Sequence, residues 1–155
     1  MLHFAYGSNM DRAVMRRHAP AAEPIGVAAL ANYRFLITAD GYASIAPARV
    51  HEVHGVLWRL TARDRVSLDA WESVASGLYR AEMLPVRRAG RLRPALVYVA
   101  RPRGMGRPKA GYMERVVAAA RAWDLPQAYV ASLQHWLAAH PQGVSTRKLG
   151  EFGWT

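Results

Sequence analysis

Cysteine is absent from this 155-residue chain. That excludes a disulfide framework and any thiolate chemistry, and it is compatible with a cytoplasmic location. Acidic side chains are scarce, 11 against 21 lysines and arginines, which leaves a formal net charge of +10. No apolar run approaches the roughly 20 residues that a membrane-spanning helix needs. No signal-peptide pattern opens the chain. The expectation is therefore a cytoplasmic protein without a membrane partner, its first strand starting near Met1. Internal repeats and linker-like stretches are also missing. What is present, 52% hydrophobic and 21% charged residues, is a globular composition. The length suits one domain over residues 1–155, with a sizeable core that needs no staples.

Nearly all the basic residues are arginine. Between positions 87 and 109 they stand at 87, 88, 91, 93, 101, 103, 107 and 109, with no acidic residue among them. A basic run of this kind is one footprint of nucleic-acid binding. This one lacks regularly interleaved aromatics and matches no nucleic-acid-binding motif. The expectation is a solvated face with no specific nucleic-acid partner, whose positive field also favours an acidic small-molecule substrate.

The alternation of Leu2, Phe4 and Tyr6 with His3 and Ala5 predicts a strand over 2–7. Gly7-Ser8-Asn9 breaks it, and a helix is expected over 10–18, with Asn9 as N-cap and Asp11 in the first turn. A strand, a small-residue loop and a helix N-terminus together make an anion-binding corner of outward-facing N–H groups. Strands are predicted at 25–30, 33–37, 43–46 and 51–60, with a turn at Asp40-Gly41 and Gly55 as a bulge or close-approach point. Thr61 caps a helix that reaches Trp71 or Val74. Strands follow at 78–87 and 92–101. The first holds Pro85, which calls for an edge or a bulge. Helices over 110–123 and 126–140 close the pattern, and the tail from 142 has no clear period. The order favours α+β with a curved or barrel-like mixed sheet, the first strand central beside 51–60, over a doubly wound sheet.

Glu72 is the second informative residue. On a helix, Leu68, Trp71, Glu72 and Ala75 share one face. A carboxyl in an apolar stripe is desolvated, its pKa rises, and it becomes suited to carrying protons near neutral pH. The plainer alternative is a helix-end glutamate that reaches solvent or pairs with Arg80.

Tyr6-Gly7-Ser8-Asn9-Met10 resembles the Tyr-Gly-Ser-Asn-Leu signature of the γ-glutamylcyclotransferase-like (AIG2-like) family. Gly55-Val56-Leu57-Trp58, Leu68-Asp69 with Glu72 and Val74, and Gly77-Leu78-Tyr79 resemble its central block. Tyr112, Leu125-Pro126 and Tyr129 resemble its C-terminal helical block. Four motifs in order over roughly residues 2–137 are more specific than any one of them. The resemblance implies an α+β fold, a small mixed β-barrel flanked by helices. It also implies an enzyme that cyclises a γ-glutamyl amide to 5-oxoproline and releases an amine or amino acid, without metal or organic cofactor. The catalytic glutamate falls on Glu72. The substrate-cradling loop falls on Tyr6, Gly7, Ser8, Asn9 and Met10, and pocket tyrosines fall on Tyr79 and Tyr112. Two departures stand out. Ser73 occupies a position where well-known members carry glycine. The segment Asp40-Gly41-Tyr42-Ala43-Ser44-Ile45 replaces a Trp- and Gly-containing stretch.

Other chemistries fit less well. Ser8 is not in a Gly-x-Ser-x-Gly elbow. His51 and His54 point to opposite faces of a strand and have no carboxylate nearby to complete a metal site. Trp58, Trp71 and Trp136 fit core positions. The alternatives to the enzyme are a non-catalytic small-molecule-binding module on the same scaffold and an arginine-mediated nucleic-acid binder.

Overall fold

The computed structural model describes residues 1–102 and 104–138. The expected ends of the last helix and the tail lie outside them. Five strands, β1 (Leu2–Ala5), β2 (Glu23–Ile37), β3 (Ala43–Arg59), β4 (Tyr79–Arg88) and β5 (Arg91–Ala100), close into a barrel in the order β1-β3-β2-β4-β5. Helices α1 (Arg12–His18), α2 (Ala62–Trp71), α3 (Tyr112–Ala122) and α4 (Gln127–Ala138) flank it. Every pairing is antiparallel except the closing one, β1 to β5, which is parallel at His3↔Leu96. The fold is the α+β mixed barrel expected from the sequence. β1 is central, with Leu2↔Arg59 through Ala5↔Val56 on its β3 side.

The four separate strands expected between 25 and 60 are in fact one long hairpin. At Ala31-Asn32 the chain bulges rather than breaks: Asn32 takes φ 65, and the register jumps from Ala31↔Glu52 to Tyr33↔Pro47. Asn32 on β2 thus stands opposite residues 48–51 of β3, where Val50 is also left-handed at φ 66, so the surplus residues are taken up on the β3 side. The turn at Asp40-Gly41 forms as expected, with the Thr38 N–H donating to Tyr42 O at 2.8 Å. Pro85 faces Pro94 across the β4–β5 pair, and the β2 side of β4 is registered only at Ala29↔Arg87. The strand is thus edge-like at its proline despite the closure.

Gly55 is a close-approach point. A Cβ there would lie 2.2 Å from the carbonyl oxygen of Ala5, so β1 and β3 meet at a distance only glycine permits. Trp58 is buried and Trp136 packs against the core, as expected. Trp71 does not: it is 48% exposed. Of the basic run, Arg87, Arg91, Arg93, Arg101 and Arg107 are exposed. Arg87 pairs with Glu52 at 2.9 Å, and Arg88 donates to Val27 O. No helix among the described residues is long and apolar enough to cross a membrane.

Candidate functional site

β1 ends at Ala5, two residues earlier than expected, because the chain leaves the sheet at Tyr6. The Tyr6 hydroxyl donates to Tyr98 O and fixes that exit. Gly7 opens a single 3₁₀ turn, Ser8–Met10, in which the Met10 N–H donates to Gly7 O at 3.1 Å and the Asp11 N–H to Ser8 O at 3.0 Å. A Cβ on Gly7 would sit 3.0 Å from the Tyr112 hydroxyl and 3.2 Å from the Ala43 Cβ. Glycine lets this turn press against the next wall of the site. The first N–H groups of such a turn, here at Gly7, Ser8 and Asn9, precede its first internal bond.

Two expectations about this loop are corrected. Asp11, not Asn9, is the N-cap of α1: its carboxylate accepts from the Ala13 and Val14 N–H groups at 2.7 and 3.1 Å. The helix therefore starts at Arg12, and its positive end is already occupied by this carboxylate. Met10 is the second correction. Its side chain is fully buried in the core and its N–H is spent inside the turn, so it supports the loop from behind and does not line the site.

α2 delivers the carboxylate. A capping box starts the helix, with Thr61 accepting from the Asp64 N–H at 3.1 Å and Asp64 from the Thr61 N–H at 3.2 Å. The helix stops at Trp71, because Ser73 enters the left-handed region at φ 53. The Ser73 N–H then bonds Ala70 O at 3.1 Å and the Val74 N–H bonds Asp69 O at 3.0 Å. That pair is a Schellman motif, whose left-handed position glycine fills best. The serine found where the resembled family has glycine thus holds a glycine's backbone. The expected apolar face is not continuous, since Trp71 and Ala75 are exposed. Glu72, the C-cap residue, is half-buried in the cavity wall. Asn9 Nδ2 donates to its Oε1 at 3.1 Å. Arg80 bonds Glu82. Burial pushes the Glu72 carboxyl up to about 7, against the smaller opposing effect of the Asn9 bond.

The two tyrosines clamp one residue, Ala43, from both of its backbone groups. The Tyr79 hydroxyl donates to Ala43 O at 2.8 Å, and the Ala43 N–H donates to the Tyr112 hydroxyl at 3.2 Å. Burial raises Tyr79 far above the ordinary range, and it pushes Tyr112 up to about 12 against hydrogen bonds from Ala43 and Ser8. Both stay protonated at any physiological pH. Tyr42 meets the Tyr112 ring edge-on at 5.5 Å. That puts part of the departing 40–45 segment into the wall.

Tyr6, Gly7, Ser8, Asn9, Glu72, Tyr79 and Tyr112 converge on one cavity of about 640 Å³. Of the site residues expected from the sequence, only Met10 is outside it. The cavity also has lining that sequence reasoning missed: His3, Tyr98 and Tyr42, and Arg17 and His18 of α1. His3 and Tyr98 come together only through the β1–β5 closure, for which the sequence carries no local signal.

A closed five-strand mixed barrel with a Gly-Ser-Asn turn facing a half-buried glutamate defines a class of protein rather than one protein. The sequence model of the AIG2-like family matches residues 52–133, and the chain belongs to that family. It is similar in structure to a gamma-glutamyl cyclotransferase, at 24% identity and TM-score 0.84, over 97% of this chain and 96% of that one. It is similar to the uncharacterized protein loc79017 from Homo sapiens, at 24% identity and TM-score 0.83, over 97% and 95%. It also resembles YkqA from Bacillus subtilis, at 25% identity and TM-score 0.79, over 92% of this chain and 56% of that one. No curated protein sequence matches the chain significantly.

Proposed function

We propose that this protein is a γ-glutamyl cyclotransferase: it closes the γ-glutamyl group of a small-molecule amide to 5-oxoproline and releases the amine. The observation that carries the reading is Glu72, a carboxyl titrating about 7 inside the cavity and tethered to Asn9 of the loop. The substrate α-nitrogen arrives protonated. The Glu72 carboxylate takes a proton from it, and the freed lone pair attacks the γ-carbonyl carbon. The new ring C–N bond forms and leaves the ring nitrogen with two hydrogens and a positive charge. Glu72 gives its proton to the departing nitrogen as the old amide C–N bond breaks, and the regenerated carboxylate takes the second proton from the ring nitrogen and passes it to the released amine, which leaves as an ammonium. The step is intramolecular, so holding the chain folded supplies much of the acceleration. The Gly7 and Asn9 N–H groups offer donors for the substrate carboxylate or for the developing oxyanion, beside a Ser8 that already bonds Tyr112. The Tyr79 and Tyr112 hydroxyls, both kept neutral, close the opposite wall.

Incubating the protein with a panel of γ-glutamyl dipeptides, γ-glutamylamines and glutathione, and measuring 5-oxoproline by mass spectrometry, tests this directly. No release from any of them sinks the reading.

The proton carrier also fixes a pH dependence. The reaction starts from ionised Glu72, so kcat/KM should fall about tenfold per unit below a limb near pH 7. Asn9→Ala removes the bond that favours the carboxylate, so the limb should move to higher pH. A limb near 4.5, or one indifferent to Asn9, would point to a different proton carrier.

A further inference from the structure

At about 640 Å³ the cavity has the size of a pocket for a whole small molecule rather than for a glutamyl group alone. Past the loop its wall is Val14, Arg17 and His18 of α1. Their spacing, i, i+3 and i+4, puts them on one face of the helix. Trp71 of α2 joins them, stacked on His18 at 3.8 Å with 19° between the ring planes. Burial, with the Arg17 charge beside it, lowers the His18 pKa, so this ring is neutral near pH 7. Val14 and the stacked pair thus form an uncharged, largely flat surface.

Arg17 is the charged member of this wall. It is exposed and has no ion-pair or hydrogen-bond partner among the described residues. Arg16, on the same turn, is exposed too but lies outside the cavity lining. Asp11, the acidic residue of α1 in the wall, is committed to the Ala13 and Val14 N–H groups. Six residues of helical rise set it about 9 Å from Arg17 along the axis. The other arginine of the cavity, Arg115, stands one turn after Tyr112 on α3 and belongs to the glutamyl end. Glu72 directly follows Trp71 in the chain, which puts the proton donor for the departing nitrogen at the edge of the α1–α2 wall.

We propose that the α1–α2 end of the cavity is the leaving-group subsite, and that it selects an amino acid with an aromatic side chain. The carboxylate of that amino acid pairs with Arg17, and its ring lies on the His18–Trp71 surface. The proposal rests on the cyclotransferase reading and adds the class of amine released.

The test compares three γ-glutamyl amides: that of phenylalanine, that of phenylalaninamide, which exchanges the carboxylate for a neutral amide, and that of alanine, which lacks the ring. In wild type, kcat/KM for the phenylalanine compound should exceed that for the phenylalaninamide compound by roughly three- to fivefold at low salt, the worth of an exposed ion pair. That excess should shrink as salt is added. The phenylalanine compound should exceed the alanine compound by about tenfold, because the ring adds apolar contact and stacking. Ratios are read within each variant, so a general loss of activity cancels. Arg17→Met keeps the apolar stem and removes the charge: the carboxylate ratio should fall to unity and the ring ratio should stay. Trp71→Ala should do the reverse. Arg16→Met, which removes the same charge from the same turn outside the cavity, should leave both ratios at their wild-type values. Equal kcat/KM for the three compounds in wild type, a carboxylate ratio that persists in Arg17→Met or falls as far in Arg16→Met, or a ring ratio indifferent to Trp71→Ala overturns the subsite assignment while leaving the cyclotransferase reading intact. If no amide of any kind yields 5-oxoproline, the parent reading fails, and this one with it.

Discussion

Glu72→Gln is expected to lower 5-oxoproline release by about 10²–10⁴-fold, the usual worth of a positioned acid–base group, or roughly 3–5 kcal/mol of barrier. Glutamine keeps the size of the side chain and can still accept from Asn9 Nδ2 through its amide oxygen. It cannot take a proton from the attacking nitrogen or give one to the departing nitrogen. Affinity should change far less, because the Gly7–Asn9 turn and the Ala43-bound tyrosines are untouched. Turnover and binding measured on the same preparation separate the two effects. Near wild-type turnover in Glu72→Gln would assign the proton to another group and leave only the fold in common with cyclotransferases.

Gly55→Ala should cost stability on the largest scale of any single methyl added here. Its Cβ would meet Ala5 O at 2.2 Å and the Phe4 ring carbons at 3.0 Å. The first of these is backbone and cannot rotate away. Overpacking typically costs 1–3 kcal/mol, and a clash with a backbone atom belongs at the top of that range, about 3 kcal/mol. For a chain of this size that corresponds to a fall in Tm of roughly 10 °C. The damage should also reach the site, since β1 is four residues long, is held on one side by β3 and on the other by β5, and runs directly into the Tyr6–Gly7 exit. Thermal unfolding measures the cost, and a Tm within 2 °C of wild type would contradict the close approach.

The sequence carried local signals faithfully and long-range ones poorly. Alternation around Phe4 announced β1, Thr61 announced the start of α2, and the Asp40-Gly41 pair announced the hairpin turn. Each depends on only a few neighbouring residues. The β2–β3 hairpin was read as fragments because the irregularity that sets Asn32 opposite residues 48–51 and a break look alike in periodicity. Asn9 and Asp11 are both good caps; Asp11 accepts from the Ala13 and Val14 N–H groups, while Asn9 turns its amide nitrogen to Glu72, 63 residues away. Trp71 stands three residues after Leu68 on α2, yet it is 48% exposed and stacks on His18 of α1, a neighbour the local pattern does not report. Met10 faces the core because the turn is 3₁₀ rather than α, a difference of one hydrogen-bond register that no composition reports. For the same reason His3, adjacent to a legible strand, could not be assigned to the cavity before β5 was known to lie beside it.

His3 and Glu72 are both buried uncharged, and their proton inventories run in opposite directions. Glu72 ionises near 4.5 when unfolded and about 7 when folded, so its favourable share of stability is whole below 4.5 and is lost as pH rises through 7. His3 ionises near 6.5 when unfolded and about 4 when folded, so its share is whole above 6.5 and is lost as pH falls through 4. Between about 4.5 and 6.5 folding takes up one proton at Glu72 and gives up one at His3. The net exchange with solvent is near zero, and the contribution of the pair to stability is flat there. Calorimetric unfolding at pH 5.5 should accordingly show the same buffer dependence of enthalpy in wild type and in a His3→Gln/Glu72→Gln double variant, because His18 and His54, also lowered by burial, exchange protons equally in both. At pH 3 and at pH 9 neither group changes charge on unfolding, yet the folded chain at either extreme holds a charge buried in the walls of its own cavity.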